Sequence, residues 1–168
     1  EMINQKRNLS IVFFEREENP KIIYEYDFLT FVGGYTNSSS DLIFRGVEID
    51  YSKKILKKTD FNFNYTFNEL KKGTLQRLPK HSFNESITYN LKNNIQLTFI
   101  YRYRGKREAL GGKEVLNSYG LTDLNYTFSK DRIKLNFWIN NLFNKEFVEI
   151  LNYSSKGRNL RFGISYEF

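Results

Sequence analysis

The chain has 168 residues and a formal net charge of +7, from 26 lysines and arginines against 19 aspartates and glutamates. It has no cysteine, which excludes disulfides, thiolate zinc sites and a cysteine nucleophile, and its single histidine leaves too little for a histidine metal site or a catalytic triad. The mean hydropathy is −0.58 and no stretch approaches the ~20 apolar residues of a membrane helix, while an aromatic content of 17% is too high for a disordered basic tail.

Two long strands are expected at the start of the chain, at residues 8–26 and 31–53. Their alternation of apolar and polar residues is looser than that of later segments. Pro20 interrupts the first of them. Because proline cannot donate a hydrogen bond to a neighbouring strand, it predicts a bulge or a turn at that point.

The most regular segment covers residues 61–68, where every odd position is aromatic and every even position is polar. Side chains alternate between the two faces of a strand, so this spacing gives one apolar and one polar face. On a helix the same residues would form no coherent face. The segment is therefore a predicted strand.

The same alternation recurs in later segments, at residues 82–91, 95–104, 123–128, 133–140 and 159–168, which brings the predicted total to about eight strands. Short connections lie near residues 55–59, 92–94 and 129–131, and long polar ones near 69–78, 105–116 and 143–156. This pattern is typical of an antiparallel meander that crosses a membrane as a β-barrel. No shift in composition marks a second domain, so residues 1–168 are one predicted unit.

Alternation alone leaves two interpretations of the faces. In a soluble sandwich or small barrel the aromatic face points inward, whereas in a membrane barrel it meets lipid and the polar face lines a wet lumen. The polar face is rich in Asn, Thr and Ser rather than charge, and so many bulky rings would overfill a small barrel. Both features favour the membrane barrel and make the following residues candidates for lipid contact: Phe61, Phe63, Tyr65, Phe67, Leu97, Phe99, Tyr101, Leu135, Phe137 and Ile139.

Four segments carry a resemblance to a known family. Residues 44–49 read FRGVEI, residues 75–83 read LQRLPKHSF, residues 139–147 read INNLFNKEF, and residues 157–168 begin GRNL and end YEF. Each is weak alone. Together and in this order they resemble barrel strands of the TonB-dependent outer-membrane receptors, the group that includes vitamin B12 and catecholate-siderophore importers.

The resemblance implies a barrel of about 22 antiparallel strands with a plugged lumen, of which this chain supplies the C-terminal part. It also implies import of a scarce ligand (siderophore-bound iron, cobalamin or similar) across the outer membrane of a Gram-negative bacterium, with energy passed on by the TonB complex. The family's plug domain and TonB box have no counterpart in this sequence, and no signal peptide opens it. The chain is therefore expected to be a fragment, a truncated product or a subunit of a split barrel, completed by a plug and further strands. Neither catalysis nor a cofactor is expected.

Three groups of residues are candidates for function. The last strand resembles the signal read by the barrel-assembly machinery, carried by Phe162, Ile164, Tyr166 and Phe168. Charges assigned to the lumen side either contact a plug or form a solvated wall: Arg45, Glu48, Arg102, Arg104, Asp123 and Lys134. Cations of the long loops either bind an anionic ligand, such as a ferric siderophore or lipopolysaccharide phosphates, or are simply solvated: Lys71, Lys72, Arg77, Lys106 and Arg107.

Lysines around the first short turn are expected only to end the strands in water: Lys53, Lys54, Lys57 and Lys58.

Two other functions compete with import as explanations of the sequence. A complete eight-stranded outer-membrane barrel, serving as an anchor or adhesin, is compatible with an even strand count and a terminal phenylalanine. The four motifs argue against it. A soluble module that stacks single-stranded nucleic acid needs exposed rings on a charged face. Here rings and charges are segregated, so no nucleic-acid partner is expected.

Overall fold

The computed structural model describes residues 7–19, 22–37, 41–72, 78–109 and 114–168, and every regular element within them is a β-strand. The strands are, in chain order, β1 (Arg7–Glu18), β2 (Ile22–Asp27), β3 (Val32–Asn37), β4 (Leu42–Leu56), β5 (Thr59–Lys72), β6 (His81–Lys92), β7 (Ile95–Arg104), β8 (Arg107–Glu108), β9 (Val115–Leu116), β10 (Tyr119–Lys130), β11 (Ile133–Asn140) and β12 (Asn159–Tyr166). In these ranges no helix is long and apolar enough to cross a membrane.

Eight strands form one antiparallel sheet in the order β1-β4-β5-β6-β7-β10-β11-β12. Three connections are tight turns at residues 57–58, 93–94 and 131–132, whereas those at the opposite end are long and carry the inserted hairpins β2–β3 and β8–β9. This arrangement confirms the prediction of an all-β antiparallel meander with eight main strands. We call the two ends of the sheet the short-turn end and the long-loop end.

The first two predicted strands are wrong in extent. In place of one strand at residues 8–26 there are β1 and β2, and in place of one at 31–53 there are β3 and β4. Among the described residues, β2 and β3 pair only with each other, across a turn in which the Asp27 carboxylate accepts hydrogen bonds from the Leu29 N–H and the Thr30 hydroxyl, both at 2.8 Å. Phe31 closes that turn with a φ of 56°. Pro20 lies outside the described residues.

The strand register gives the two faces of the sheet different characters. Directly opposed residues of antiparallel strands share a face. One apolar row crosses five strands: Ile11, Ile49, Tyr65, Phe83 and Tyr103. Another crosses five strands further along: Tyr89, Leu97, Tyr126, Phe137 and Phe162. We call this side the aromatic face, and the opposite side, with Asn62, Asn64 and Thr66, the polar face.

The sheet is open. Among the described residues, β1 pairs only with β4 and β12 only with β11, so each outer strand has an unpaired edge. A barrel closes by pairing its first and last strands, which removes such edges. The rival interpretation of a closed eight-stranded barrel is therefore wrong. The sheet is instead a wall segment of a larger barrel.

Little of this sheet is buried. The buried apolar residues in the described ranges are on the polar face at the long-loop end or in and beside the β8–β9 hairpin: Leu42, Phe44, Ala109, Leu116, Tyr119 and Leu121. On the aromatic face, Phe13 is 78% exposed, Phe99 44% and Phe162 67%. A water-soluble domain would bury an apolar face of this extent. The rings of β5 do not form the centre of a compact soluble body.

Candidate functional site on the polar face

A line of side-chain hydrogen bonds crosses four strands of the polar face. Arg104 donates to the Asn84 side-chain oxygen at 3.3 Å, and the Asn84 amide donates to the Asn64 oxygen at 3.3 Å. The Asn64 amide in turn donates to the Asp50 carboxylate. The asparagines connect a cation on β7 with an anion on β4, so these four side chains satisfy one another across the face.

An ion pair lies further along the polar face, between Arg102 on β7 and Asp123 on β10. An Arg102 Nη atom is 2.6 Å from the Asp123 carboxylate, whose other oxygen accepts the Asn141 backbone N–H at 2.8 Å. The Asp123 side chain is 12% exposed. The Arg102 Nε atom is buried without a partner among the described residues. Asp123 therefore joins the barrel wall to the start of the loop after β11.

That loop, residues 141–158, is held in shape by asparagines. The Asn141 amide accepts from the Lys145 N–H and donates to the Lys145 carbonyl, both at 2.8 Å, and Asn141 is 3% exposed. Asn144 accepts the Arg158 N–H at 2.8 Å. Both asparagines have positive φ, 52° and 51°, a conformation that asparagine tolerates better than most residues. The segment 139–147 thus has a structural role that sequence reasoning did not assign.

Arg107 ties this loop to the β8–β9 hairpin. Its guanidinium donates to the carbonyls of Val148 and Glu149, at 3.2 and 2.9 Å. It also lies 5.3 Å from the centre of the Tyr119 ring, which packs against Phe147 at 4.6 Å. Arg107 is 7% exposed. Arg107 is therefore not a solvated loop cation, because its buried side chain joins two loops, and ligand binding by it stays a prediction.

Two concavities on the polar face bring predicted charges together at the long-loop end. One of about 700 Å³ is lined by Phe44, Glu48, Asn68 and Arg104, among others. A second of about 220 Å³ includes Arg102, Arg104 and Lys156. The remaining lumen-side candidates lie elsewhere.

Lys134 is exposed on the polar face opposite Ser165, near the short-turn end. Arg45 is not on the polar face: it lies two residues from Val47 and opposite Glu69, with which it forms a 2.7 Å ion pair on the aromatic side. The assignment of Arg45 to the lumen is wrong because its position has the parity of the apolar residues of β4.

The other long-loop cations have different surroundings. Lys72 forms a 2.6 Å ion pair with Asp41, whereas Lys71 and Lys106 are exposed. Arg77 lies outside the described residues. Ligand binding by Lys71, Lys72 and Lys106 stays a prediction.

The last strand places three of its candidate residues on the aromatic face. Phe162, Ile164 and Tyr166 oppose Phe137, Leu135 and Ile133. Phe168 lies beyond the strand and contacts the Tyr166 ring edge-on at 5.3 Å. Recognition by the assembly machinery stays a prediction, as does lipid contact by the ten aromatic-face residues proposed for it.

Comparison with known proteins gives the family. The sequence model of one protein family, described as TonB dependent receptor-like β-barrel, matches residues 5–142. No curated protein matches the sequence. The chain therefore belongs to the TonB-dependent receptor β-barrel family, as its motifs predict.

Solved structures share the fold. The siderophore receptor PirA from Acinetobacter baumannii matches with a TM-score of 0.74 at 16% identity, covering 96% of this chain and 30% of its own. The ferric-catecholate import receptor Fiu from E. coli K12 matches with a TM-score of 0.70 at 17% identity, covering 99% and 26%. The copper transporter OprC matches with a TM-score of 0.75 at 14% identity, covering 98% and 29%. The chain thus spans less than a third of the length of these proteins.

Proposed function

We propose that this chain forms the last strands and outer loops of a TonB-energised importer in the outer membrane of a Gram-negative bacterium. The observation that carries the proposal is the aromatic face, which continues across all eight strands of an open sheet and stays exposed. Such a face is stable only against another apolar phase, and lipid is the phase that family membership suggests.

In this proposal the polar face lines the lumen, and a plug with further strands completes the receptor. The line from Arg104 to Asp50 links side chains of four strands on this face, while Glu48 and Arg104 border a concavity on the same face. These groups are the contacts available to a plug. TonB acts through that plug, and the barrel-assembly machinery reads the last strand.

The proposed cargo is a scarce, anionic complex such as a ferric siderophore. Three cations border the smaller concavity at the long-loop end, against the Glu149 carboxylate in its lining and the Asp123 carboxylate paired with Arg102, which leaves one positive charge in excess. Positive potential in a cleft raises the local concentration of an anionic ligand. The names of the structural relatives include a siderophore receptor and a ferric-catecholate importer, which supports the same cargo class.

The test is energy-dependent uptake by the bacterium that produces the chain. Cells with the gene intact, deleted or restored are compared for uptake of a radiolabelled ferric catecholate, with cobalamin and a copper salt as alternative cargoes. Import should vanish on deletion, return on complementation, and stop with a protonophore or without TonB. Immunoblots of the outer-membrane fraction control for expression. Equal uptake by intact and deleted cells for every cargo, or uptake that survives the protonophore, would refute the proposal.

A further inference from the structure

We propose that the short-turn end of the sheet binds the phosphate groups of anionic glycerophospholipids in the leaflet that it faces. The inference rests on the proposed function in one respect, that the aromatic face meets lipid. It assigns a role to cations that the sequence indicated only as strand ends.

The short-turn end carries most of the chain's net charge. Nine cations lie in or beside the three tight turns and at the adjoining strand ends: Arg7, Lys53, Lys54, Lys57, Lys58, Lys92, Lys130, Arg132 and Lys134. The carboxylates there are three: Asp60, Asp131 and Glu167. Nine against three leaves +6 of the total +7, so the rest of the chain has 17 cations against 16 anions. The charge is therefore concentrated at one end.

The register brings like charges face to face at this end. Arg7 on β1 is directly opposite Lys53 on β4, on the aromatic side. Opposed like charges destabilise a strand pair. Within the described ranges, the ion pairs that the structure shows are Arg45–Glu69, Lys72–Asp41 and Arg102–Asp123. None of them involves Arg7, Lys53 or Lys130. An external anion between Arg7 and Lys53 would turn this repulsion into attraction.

Tyrosines of the aromatic face lie just inside the cations. Tyr51 precedes Lys53 by two residues, and Tyr89 and Tyr126 lie within four residues of Lys92 and Lys130. Tyr89 is 43% exposed and Tyr126 37%. Rings with a polar tip favour the membrane–water interface, and long cationic side chains reach outward from there. The order of apolar residues, tyrosines and then cations matches the order of acyl chain, glycerol region and phosphate.

This combination selects a lipid over other polyanions. A nucleic acid offers phosphates without acyl chains and would leave the exposed apolar rows of the aromatic face uncovered. A glycerophospholipid contacts both parts of the surface at once. Each cation near an anionic lipid surface strengthens binding about five-fold, so removing three should weaken it on the order of 100-fold if the effects add.

Native mass spectrometry of the 168-residue chain in a neutral detergent tests the inference. Dioleoyl-phosphatidylglycerol is the probe and dioleoyl-phosphatidylcholine the uncharged comparison. The triple variant Arg7→Gln, Lys53→Gln, Lys130→Gln removes cations from the aromatic side of the short-turn end. The matched control, Lys71→Gln, Lys106→Gln, Lys145→Gln, removes the same charge from the long-loop end. Far-UV circular dichroism verifies equal strand content.

The unchanged chain and the control triple should retain phosphatidylglycerol at least about ten-fold more tightly than phosphatidylcholine, and the short-turn triple should lose that preference. The preference should also weaken at high salt. Equal retention of the two lipids by the unchanged chain, or the same loss in both triples, would overturn the inference. Equal cargo uptake by intact and deleted cells, with the lipid preference of the chain intact, would instead count against the proposed function alone.

Discussion

The hydrogen bonds of Asn141 make the loop at residues 141–158 the sharpest test of the site. Asn141→Ala removes two side-chain hydrogen bonds to the Lys145 backbone and places alanine at a φ of 52°. Each hydrogen bond contributes about 0.5–1.5 kcal/mol net, and the left-handed conformation costs alanine about 1 kcal/mol or more. The loop should therefore lose about 2–4 kcal/mol of local stability.

Asn152→Ala is the matched control. Asn152 has a φ of 64° and is exposed. Within the described ranges, its side chain shows no hydrogen bond. It shares the backbone cost but not the two hydrogen bonds, so the difference between the variants is about 1–3 kcal/mol. That difference corresponds to roughly five- to 150-fold faster exchange.

Amide hydrogen exchange measures this difference directly. The Lys145 N–H, which Asn141 holds, should exchange faster in Asn141→Ala than in Asn152→Ala, while amides of the central strands stay protected. Exchange at Lys145 that is equally fast in the two variants would show that the hydrogen bonds add nothing to loop stability. The account of this segment as a structural clamp would then be wrong.

Three further predictions concern the aromatic face, the last strand and the β2–β3 hairpin. Phe99→Arg puts a charge on the proposed lipid face and should reduce insertion into vesicles by about 2–4 kcal/mol, measured by urea titration, whereas Thr98→Arg on the polar face should cost far less. Deleting Phe168 should lower the amount of chain in the outer-membrane fraction on immunoblots, and Ser165→Ala should not; equal amounts would contradict the assembly role. Hydrogen bonds from the following turn hold the pKa of Asp27 below its ordinary value, the backbone N–H contributing most. The turn should therefore be fully stabilised above the ordinary pKa, about 4, and lose this contribution as pH falls through the lowered value, which an NMR titration detects and Asp27→Asn abolishes.

The strands and faces of the sheet follow from local sequence. Side-chain direction alternates with every residue of a strand, so a short window of regular alternation predicts both the strand and its two faces. The predictions of a strand at residues 61–68 and of the last strand are correct for this reason. The start of the chain alternates loosely, and there the strand bounds are wrong because the β2–β3 hairpin takes up the end of the first expected strand and the start of the second.

The same rule decides the face of Arg45. Arg45 and Glu48 are three residues apart in one strand, so they cannot share a face. Charge alone predicts both on the lumen side, whereas parity places Arg45 with the apolar residues of β4. The ion pair with Glu69 explains how a cation is tolerated on the aromatic side at the long-loop end.

The contacts at the long-loop end could not be read from the amino-acid order. Arg107 meets carbonyl groups 41 and 42 residues away, and Asp123 meets an N–H 18 residues away. The donors and acceptors in these contacts include main-chain groups, which every residue has, so the residue types do not identify the partners. Alternation within a strand needs only neighbouring residues, and the chain therefore specifies its two faces locally. The burial of Arg107 depends on how two long loops fold against the ends of β10 and β11, and only the assembled sheet brings them together.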